Sequence, residues 1–235
     1  YYAVCALKAR IQLWLGNKSE ALKYAQKVIN AKDPNGNAMF RLSTTTDCIN
    51  GDLIFSSEHI FNLNVYNLSD SKISAANTFY TNSTTLEYFW ASGTTDIRRG
   101  KMWKEVYDDY WWTYYYYMTK YIQVTNMPVL SKNSIPLFRL AEMYLIAMEC
   151  GSIQNANDLY EELCIARDIT PVTFGSTEEL LETLILEYNR EFYGEGQAFY
   201  AYKRLGCSKI FGTSTVGSAL IYVLPLPKAE SLYIQ

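Results

Sequence analysis

The chain has 235 residues, of which 49% are hydrophobic and 19% are charged, and its formal net charge is −3. This hydrophobic fraction is enough for a sizeable core, which excludes a disordered chain. No cluster of lysine and arginine interleaved with aromatic residues is present, so we predict no nucleic-acid partner.

The first 30 residues predict a pair of antiparallel helices. Apolar residues recur at helical spacing up to Leu15, Gly16-Asn17 interrupts the pattern, and Ser19 to Ile29 resumes it. Small residues on both segments allow the two helices to approach closely, which is typical of tetratricopeptide-like units. The apolar positions of the first segment are Val4, Leu7, Ile11, Trp14 and Leu15, and the small residues are Ala6, Ala9, Ala21 and Ala25.

A second hairpin of the same type is predicted further along the chain. It repeats the first at a constant offset of 135 residues. A unit of this kind cannot bury its apolar face alone, so we expect the two hairpins to stack on each other or on further helices. A third hairpin is expected to follow, with an N-terminal cap at Thr177, helical periodicity from Glu178 to Tyr193 and an end at Gly194 and Gly196. The equivalent pairs are Ala6/Ala141, Ile11/Ile146, Gly16/Gly151, Ala21/Ala156 and Val28/Leu163.

Residues 31–135 differ from the helical parts. They contain Ser/Thr/Asn-rich stretches punctuated by aromatic residues, which favours loops and short strands, with Asp52 to Ile60 and Tyr114 to Gln123 as the predicted strands. Excursions of this length are commonly functional. The predicted fold is therefore one mainly α domain, with a hairpin at 1–30, an irregular aromatic-rich insertion at 31–135 and a helical part at 136–235.

Aromatic residues concentrate at 107–121, where nine of fifteen side chains are rings. A ring offers a flat apolar face with a polar edge, and sugar rings stack on such faces, so one interpretation is a glycan-binding surface. The alternative is a strand whose rings cover the helical core. The candidate ligand-binding residues are Tyr110, Trp111, Trp112 and Tyr115, together with Tyr80 and Trp90 from the preceding loop.

Catalytic and metal chemistry find little support in the sequence. His59 is the single histidine, so a Ser-His-Asp set would depend on it and no metal site has two histidines. Glu187, Glu191 and Glu195 suggest a pair of glycosidase carboxylates, but Arg190 is placed to pair with Glu187. The cysteines lack paired spacing and are interpreted as small buried hydrophobic residues: Cys5, Cys48, Cys150, Cys164 and Cys207. We predict no enzyme activity, cofactor or metal.

Five blocks, taken in order, resemble a known family. Residues 187–206 read EYNREFYGEGQAFYAYKRLG and resemble the E-x-x-R-E-φ-x-x-E-G-(H/Q)-R-(W/F)-(F/Y)-D-φ-(K/R)-R signature of SusD/RagB nutrient-binding lipoproteins, with Ala198 and Ala201 replacing the usual Arg and Asp. Asp96-Ile-Arg98 resembles the family's D-x-R, for which we expect a loop-pinning role. The other blocks that resemble family segments are 2–29, 137–149, 156–167 and 222–230.

The resemblance implies a function. Members of this family are non-catalytic proteins on the outer membrane surface of Bacteroidetes that capture glycans, cofactor-free, for a SusC-type TonB-dependent transporter. It also implies that the hairpins at Tyr1 to Ile29 and Leu137 to Arg167 serve as scaffold or partner surface. The N-terminal part of the family fold, with its export signal and lipid-anchored cysteine, is expected to precede Tyr1, and no segment in this chain is predicted to span the membrane. The alternatives are a protein-interaction scaffold and binding of peptides or another nutrient.

Overall fold

A computed structural model describes residues 1–68, 80–211 and 222 of the chain. It confirms the predicted mainly α-helical class. The block at 222–230 lies outside the described residues except for Tyr222. The helices are α1 (Tyr2–Trp14), α2 (Lys18–Ile29), α3 (Thr45–Ile49), α4 (Ser83–Glu87), α5 (Ile97–Gly100), α6 (Leu140–Cys150), α7 (Ile153–Arg167), α8 (Thr177–Glu191) and α9 (Ala198–Leu205). The strands are β1 (His59–Asn64), β2 (Tyr80–Thr81), β3 (Trp103–Asp108), β4 (Thr113–Met118) and β5 (Ser134–Arg139).

The two predicted hairpins are present and stack on each other. Helix α2 lies between α1 and α6, and α6 packs in turn on α7. The contact surface is made of small side chains: Ala6, Ala9, Ala21 and Ala25 are all fully buried. Short side chains let helix axes come close together, so this core is held by backbone proximity as much as by large apolar groups.

The outer face of α1 carries exposed apolar side chains. Its large apolar side chains are 42% to 65% exposed, because α1 turns Cys5, Ala6, Ala9 and Leu13 toward α2 and α6 instead. Bulky residues would hold those helices apart, so the small-residue face is the one that packs. The exposed residues are Val4, Leu7, Ile11, Trp14 and Leu15, which we call the α1 stripe. They do not pack on the second hairpin, the first of the two arrangements that the sequence left open.

The strand predictions are correct in part. Residues 52–58 form a turn rather than a strand, since the Asp52 carboxylate accepts hydrogen bonds from the Ser56 amide at 2.8 and 3.0 Å and Phe55 adopts φ 59°. The strand starts at His59 and pairs antiparallel with β5. The prediction from Tyr114 overlaps β4 but extends past its end at Met118.

Two helix boundaries also shift. Residues 137–139, expected to be helical, form the end of β5, and α6 begins at Leu140. Helix α8 is capped by Ser176, whose hydroxyl accepts the Glu179 N–H at 3.2 Å, rather than by Thr177. Within the described ranges, no helix combines the length and apolar character needed to span a membrane.

Candidate functional site

A three-stranded antiparallel sheet in the order β2-β4-β3 carries the aromatic segment. Strands β3 and β4 form a hairpin whose last pair is Asp108 with Thr113. The Asp108 carboxylate accepts the backbone N–H groups of Tyr110 and Trp111 at 2.9 and 3.0 Å. An aspartate that bonds its own following backbone fixes the turn, so the loop that presents the rings is held from inside.

The tip of the hairpin consists of three exposed rings, Tyr110, Trp111 and Trp112, which we call the aromatic tip. They are 80%, 72% and 81% exposed, respectively. The Tyr110 and Trp111 rings meet edge to face with centroids 4.9 Å apart. Trp112 has φ 51°, a left-handed conformation that is a genuine outlier for a bulky side chain. Backbone strain of this kind concentrates at functional sites.

The remaining rings divide between the two faces of the sheet. Side chains alternate along a strand, and the register pairs Tyr107 with Tyr114 and Tyr80 with Tyr117. One face therefore carries Tyr107, Tyr114 and Tyr116, and the other carries Tyr80, Tyr115 and Tyr117. On the first face, the Tyr107 and Tyr114 centroids lie 4.9 Å apart; on the second, those of Tyr80 and Tyr115 lie 6.2 Å apart.

Of the six ligand-binding candidates, Trp90 requires correction. Its side chain is 3% exposed, and its indole N–H donates to Asp96 at 3.0 Å. It packs edge to face with Phe89 and Trp103 in a second core under the sheet. At 3% exposure the Trp90 ring has no open face on which a sugar could stack, although the residue contributes to the wall of a small cavity beside the sheet.

The other candidates have accessible surface. Tyr80 is 65% exposed and Tyr115 is half-buried. The alternative, in which the rings of the segment only cover the core, holds for Tyr121 but not for the aromatic tip. Sequence reasoning did not name Tyr107 and Tyr114 as binding residues, because Tyr107 lies outside the predicted strands and only the register of β3 with β4 pairs the two rings.

Behind the sheet, ionised side chains form a buried charge network. Its members share almost complete burial and pairing with opposite charge. They are Glu58, Asp96, Arg98, Lys120, Arg139, Arg167, Glu187, Glu191 and Glu195.

Glu191 lies at the centre of this network. Its carboxylate accepts from Arg167 at 2.6 and 3.1 Å, from Arg98 at 2.9 Å and from Arg139 at 3.4 Å. Burial alone would raise its pKa, but Arg167, Arg98 and Arg139 together hold the pKa of Glu191 well below its usual range. The three arginines come from α7, α5 and β5, so one carboxylate on α8 ties the helical stack to the insertion.

The Asp96–Arg98 pair has the predicted loop-pinning geometry. The Arg98 guanidinium donates to Asp96 at 2.6 Å and to Glu187 at 2.6 Å, and all three side chains are about 1% exposed or less. Arg190 pairs with Glu187 at 2.6 Å, as its spacing predicted. Lys120 and Arg139 hold Glu195 in the same way.

These contacts bear on the glycosidase interpretation. A general acid or base has to reach the substrate, whereas Glu187 and Glu191 are fully covered and saturated with cationic partners. The carboxylates of the signature segment are therefore structural. His59 is likewise internal: its ring nitrogen Nε2 lies 3.0 Å from the Ile54 carbonyl, and burial lowers its pKa.

Metal and thiol chemistry receive no support in the part of the chain that the structure describes. No group of His, Cys, Asp and Glu there is arranged to hold a metal ion. All five cysteines are free, and burial raises the pKa of the Cys48 and Cys164 thiols to about 12. Thiols with such a high pKa are inert.

Comparison with known proteins decides the family. The SusD family model matches residues 69–222. The chain belongs to the SusD family. Among solved structures, it resembles SusD superfamily proteins from Bacteroides thetaiotaomicron (23% identity over 88% of this chain and 50% of that one, TM-score 0.64) and Bacteroides vulgatus (20%, 99% and 57%, TM-score 0.70). A laminarin-binding SusD-like protein also matches, at 16% identity over 87% of this chain and 54% of that one, with TM-score 0.59.

The comparisons confirm the SusD-like fold. The chain spans about half the length of these three solved structures. No curated protein matches it significantly.

Proposed function

We propose that this SusD family protein binds a glycan through the aromatic tip, without catalysis. The observation that carries this proposal is a pair of adjacent tryptophans, Trp111 and Trp112, exposed at the end of a hairpin with one of them in a strained backbone conformation. Exposing two indole rings is costly in water, and large aromatic surfaces of this kind mark interaction sites. The laminarin-binding protein among the structural neighbours supports a glycan as the ligand class.

The mechanism is capture. Sugar rings stack on the indole faces, and Tyr110 and neighbouring polar groups take the hydroxyls. The tip is fixed by Asp108 before a ligand arrives, so little ordering entropy is lost on binding. The chemistry needs neither cofactor nor metal.

The tip supplies the first testable prediction. We expect Trp111→Ala and Trp112→Ala each to weaken binding to a recognised polysaccharide at least tenfold, about 1.4 kcal/mol, because each removes one stacking surface. Affinity gel electrophoresis against soluble polysaccharides, followed by calorimetry on the best one, measures this. Tyr66→Ala is the matched control, since Tyr66 is 88% exposed but lies outside the hairpin.

Three outcomes would count against the proposal. Unchanged binding in both tryptophan variants would move the site away from the tip. Binding of peptides instead of any polysaccharide, with the same sensitivity to Trp111 and Trp112, would keep the site but replace the ligand class. Equal losses in Tyr66→Ala would point to nonspecific aromatic adsorption.

Delivery of the glycan to a SusC-type TonB-dependent transporter at the outer membrane is the second part of the proposal. The α1 stripe supports a protein partner, because contiguous exposed apolar side chains on one helix mark interaction surfaces. Its members Leu7 and Ile11 are 44% and 46% exposed. In this proposal the protein lies over the transporter and is lipid-anchored at the cell surface, as the family resemblance implies.

This partner surface can be tested separately from the glycan site. We expect Leu7→Ser combined with Ile11→Ser to abolish co-purification with the transporter and to leave glycan affinity unchanged, because exposed positions contribute little to folding. Leu130→Ser is the control, an exposed aliphatic residue at 72% on a loop. Undiminished co-purification of the double variant would exclude α1 as the transporter contact.

A further inference from the structure

A cavity of about 280 Å³ lies beside the sheet, between α4, the loop at 91–94, α5 and β4. Its wall includes Glu87, Trp90, Ser92, Thr94, Arg99 and Tyr116. Resting on the proposed function above, we infer that this cavity is a subsite for one ring of a neutral sugar, and that Arg99 determines its specificity.

The cavity is continuous with one face of the aromatic hairpin. Tyr116 lines it, and Tyr116 shares its face of the sheet with the stacked pair Tyr107 and Tyr114. A row of rings therefore leads from the aromatic tip to the cavity mouth. A glycan lying along that row would place its next ring against the cavity.

The Arg99 guanidinium is held in place by an aromatic ring, and no carboxylate of the described residues forms an ion pair with it. Its guanidinium lies 4.6 Å from the centroid of the Tyr116 ring, a cation–π contact that fixes its orientation. The Tyr116 hydroxyl donates to Glu105, which anchors the ring in turn. Arg99 forms no ion pair with any described residue, whereas its neighbour Arg98 is fully buried among carboxylates. The Tyr116 side chain occupies part of the donor set of Arg99, and the remaining guanidinium donors are available to a ligand.

The charges around the cavity indicate a neutral ligand. Glu87 and Arg99 both line the cavity, so its wall offers guanidinium donors and a carboxylate acceptor, which together suit sugar hydroxyls. Glu105 shares the face of the sheet that carries Tyr107, Tyr114 and Tyr116, and its negative charge disfavours an acidic polysaccharide. The volume is near the lower end of ligand sites, roughly 300 Å³, which fits a single ring.

The subsite is tested with the best neutral oligosaccharide from the polysaccharide screen, in a series of increasing length. We expect Arg99→Ala to weaken binding about tenfold for the longer members, and to leave unchanged the shortest members, which occupy the tip alone. Arg99→Lys should recover part of the loss, because lysine keeps the charge but lacks the planar fork. Lys101→Ala is the control, an exposed cation two residues away, and thermal unfolding of each variant reports on folding.

The outcomes separate this inference from the proposed function. If Arg99→Ala binds oligosaccharides of every length like the parent while Trp111→Ala does not, the cavity is not a subsite, but glycan binding at the aromatic tip is supported. If the parent binds no glycan, both the subsite and the proposed glycan-binding function are overturned. Tighter binding of a uronate-containing glycan, lost in Arg99→Ala, would overturn the neutral class and make Arg99 a carboxylate receptor.

Discussion

Replacing Glu191 by glutamine is expected to lower the free energy of unfolding by about 3 to 5 kcal/mol. The substitution keeps the shape of the side chain but removes the charge that Arg167, Arg98 and Arg139 share. Those guanidinium groups stay buried with one shared carboxylate fewer, and the cost is the desolvation of charges that their other partners, Glu58, Asp96, Glu187 and Glu195, compensate less completely. Natural domains are stable by about 5 to 15 kcal/mol, so this single change consumes much of the margin.

Urea unfolding followed by circular dichroism measures the effect as a lower midpoint at an unchanged slope. Glu20→Gln is the matched control: the Glu20–Lys23 pair makes a contact of similar length, 2.8 Å, on an exposed helix surface, and we expect no measurable change there. A midpoint in Glu191→Gln equal to that of the control would show that the network contributes nothing to stability. If the variant does not fold, Arg139→Lys, which retains the charge, provides the graded measurement.

The network also explains which parts of the fold could be predicted from the sequence. Helical hairpins are local: the periodicity around Gly16 and the small residues at Ala21 and Ala25 define them within a few turns. The contacts of Glu191 are not local, because Arg98 and Arg139 lie 93 and 52 residues away in the chain. No spacing rule pairs such residues, so the sequence identified only the local partner of Glu187, which is Arg190, and not the distant partners of Glu191.

The same distinction applies to the candidate site. The exposure of Trp111 and Trp112 fits the first of the two interpretations that the sequence left open, a surface of accessible rings. Trp90 was mispredicted because its burial depends on Asp96 and on Trp103 from a different strand. The sequence left open which face of α1 packs on the second hairpin, because hydrophobicity alone does not reveal that close helix packing selects the small-residue face.

Stability is further expected to fall steeply below about pH 5, with the thermal midpoint dropping by about 10 °C or more between pH 7 and pH 3. Burial alone would raise the pKa values of Glu191, Glu195 and Asp96, but their arginine and lysine partners hold all three pKa values below the usual range. A carboxylate with a lowered folded-state pKa contributes stability above its unfolded pKa of about 4, and that stability is lost as pH falls toward the folded value. Loss of one buried pair costs about 3 to 5 kcal/mol, and 1 kcal/mol shifts the midpoint by about 2 to 4 °C at this size.

Two other groups modify this profile. Burial lowers the pKa of His59, so stability begins to decrease as pH falls below the unfolded histidine value of about 6.5. Glu142 acts in the opposite sense: burial raises its pKa more than Arg10 lowers it, so its protonation at low pH relieves an unfavourable charge. The contribution of Glu142 does not offset those of Glu191, Glu195 and Asp96, so the free energy of unfolding still decreases as the pH falls.

Thermal unfolding from pH 8 to pH 3, at low and high salt, tests this profile. Salt screens buried ion pairs poorly, so we expect the fall of the thermal midpoint with acid to persist at high salt. A fall caused by exposed pairs such as Arg41–Asp47 would instead become smaller at high salt. Glu191→Gln should show a shallower acid slope than the parent, because one of the titrating carboxylates has been removed. A parent protein whose midpoint stays constant from pH 7 to pH 3, or a variant with the parent's slope, would mean that Glu191 is not the ionised centre that its contacts with Arg98, Arg139 and Arg167 require.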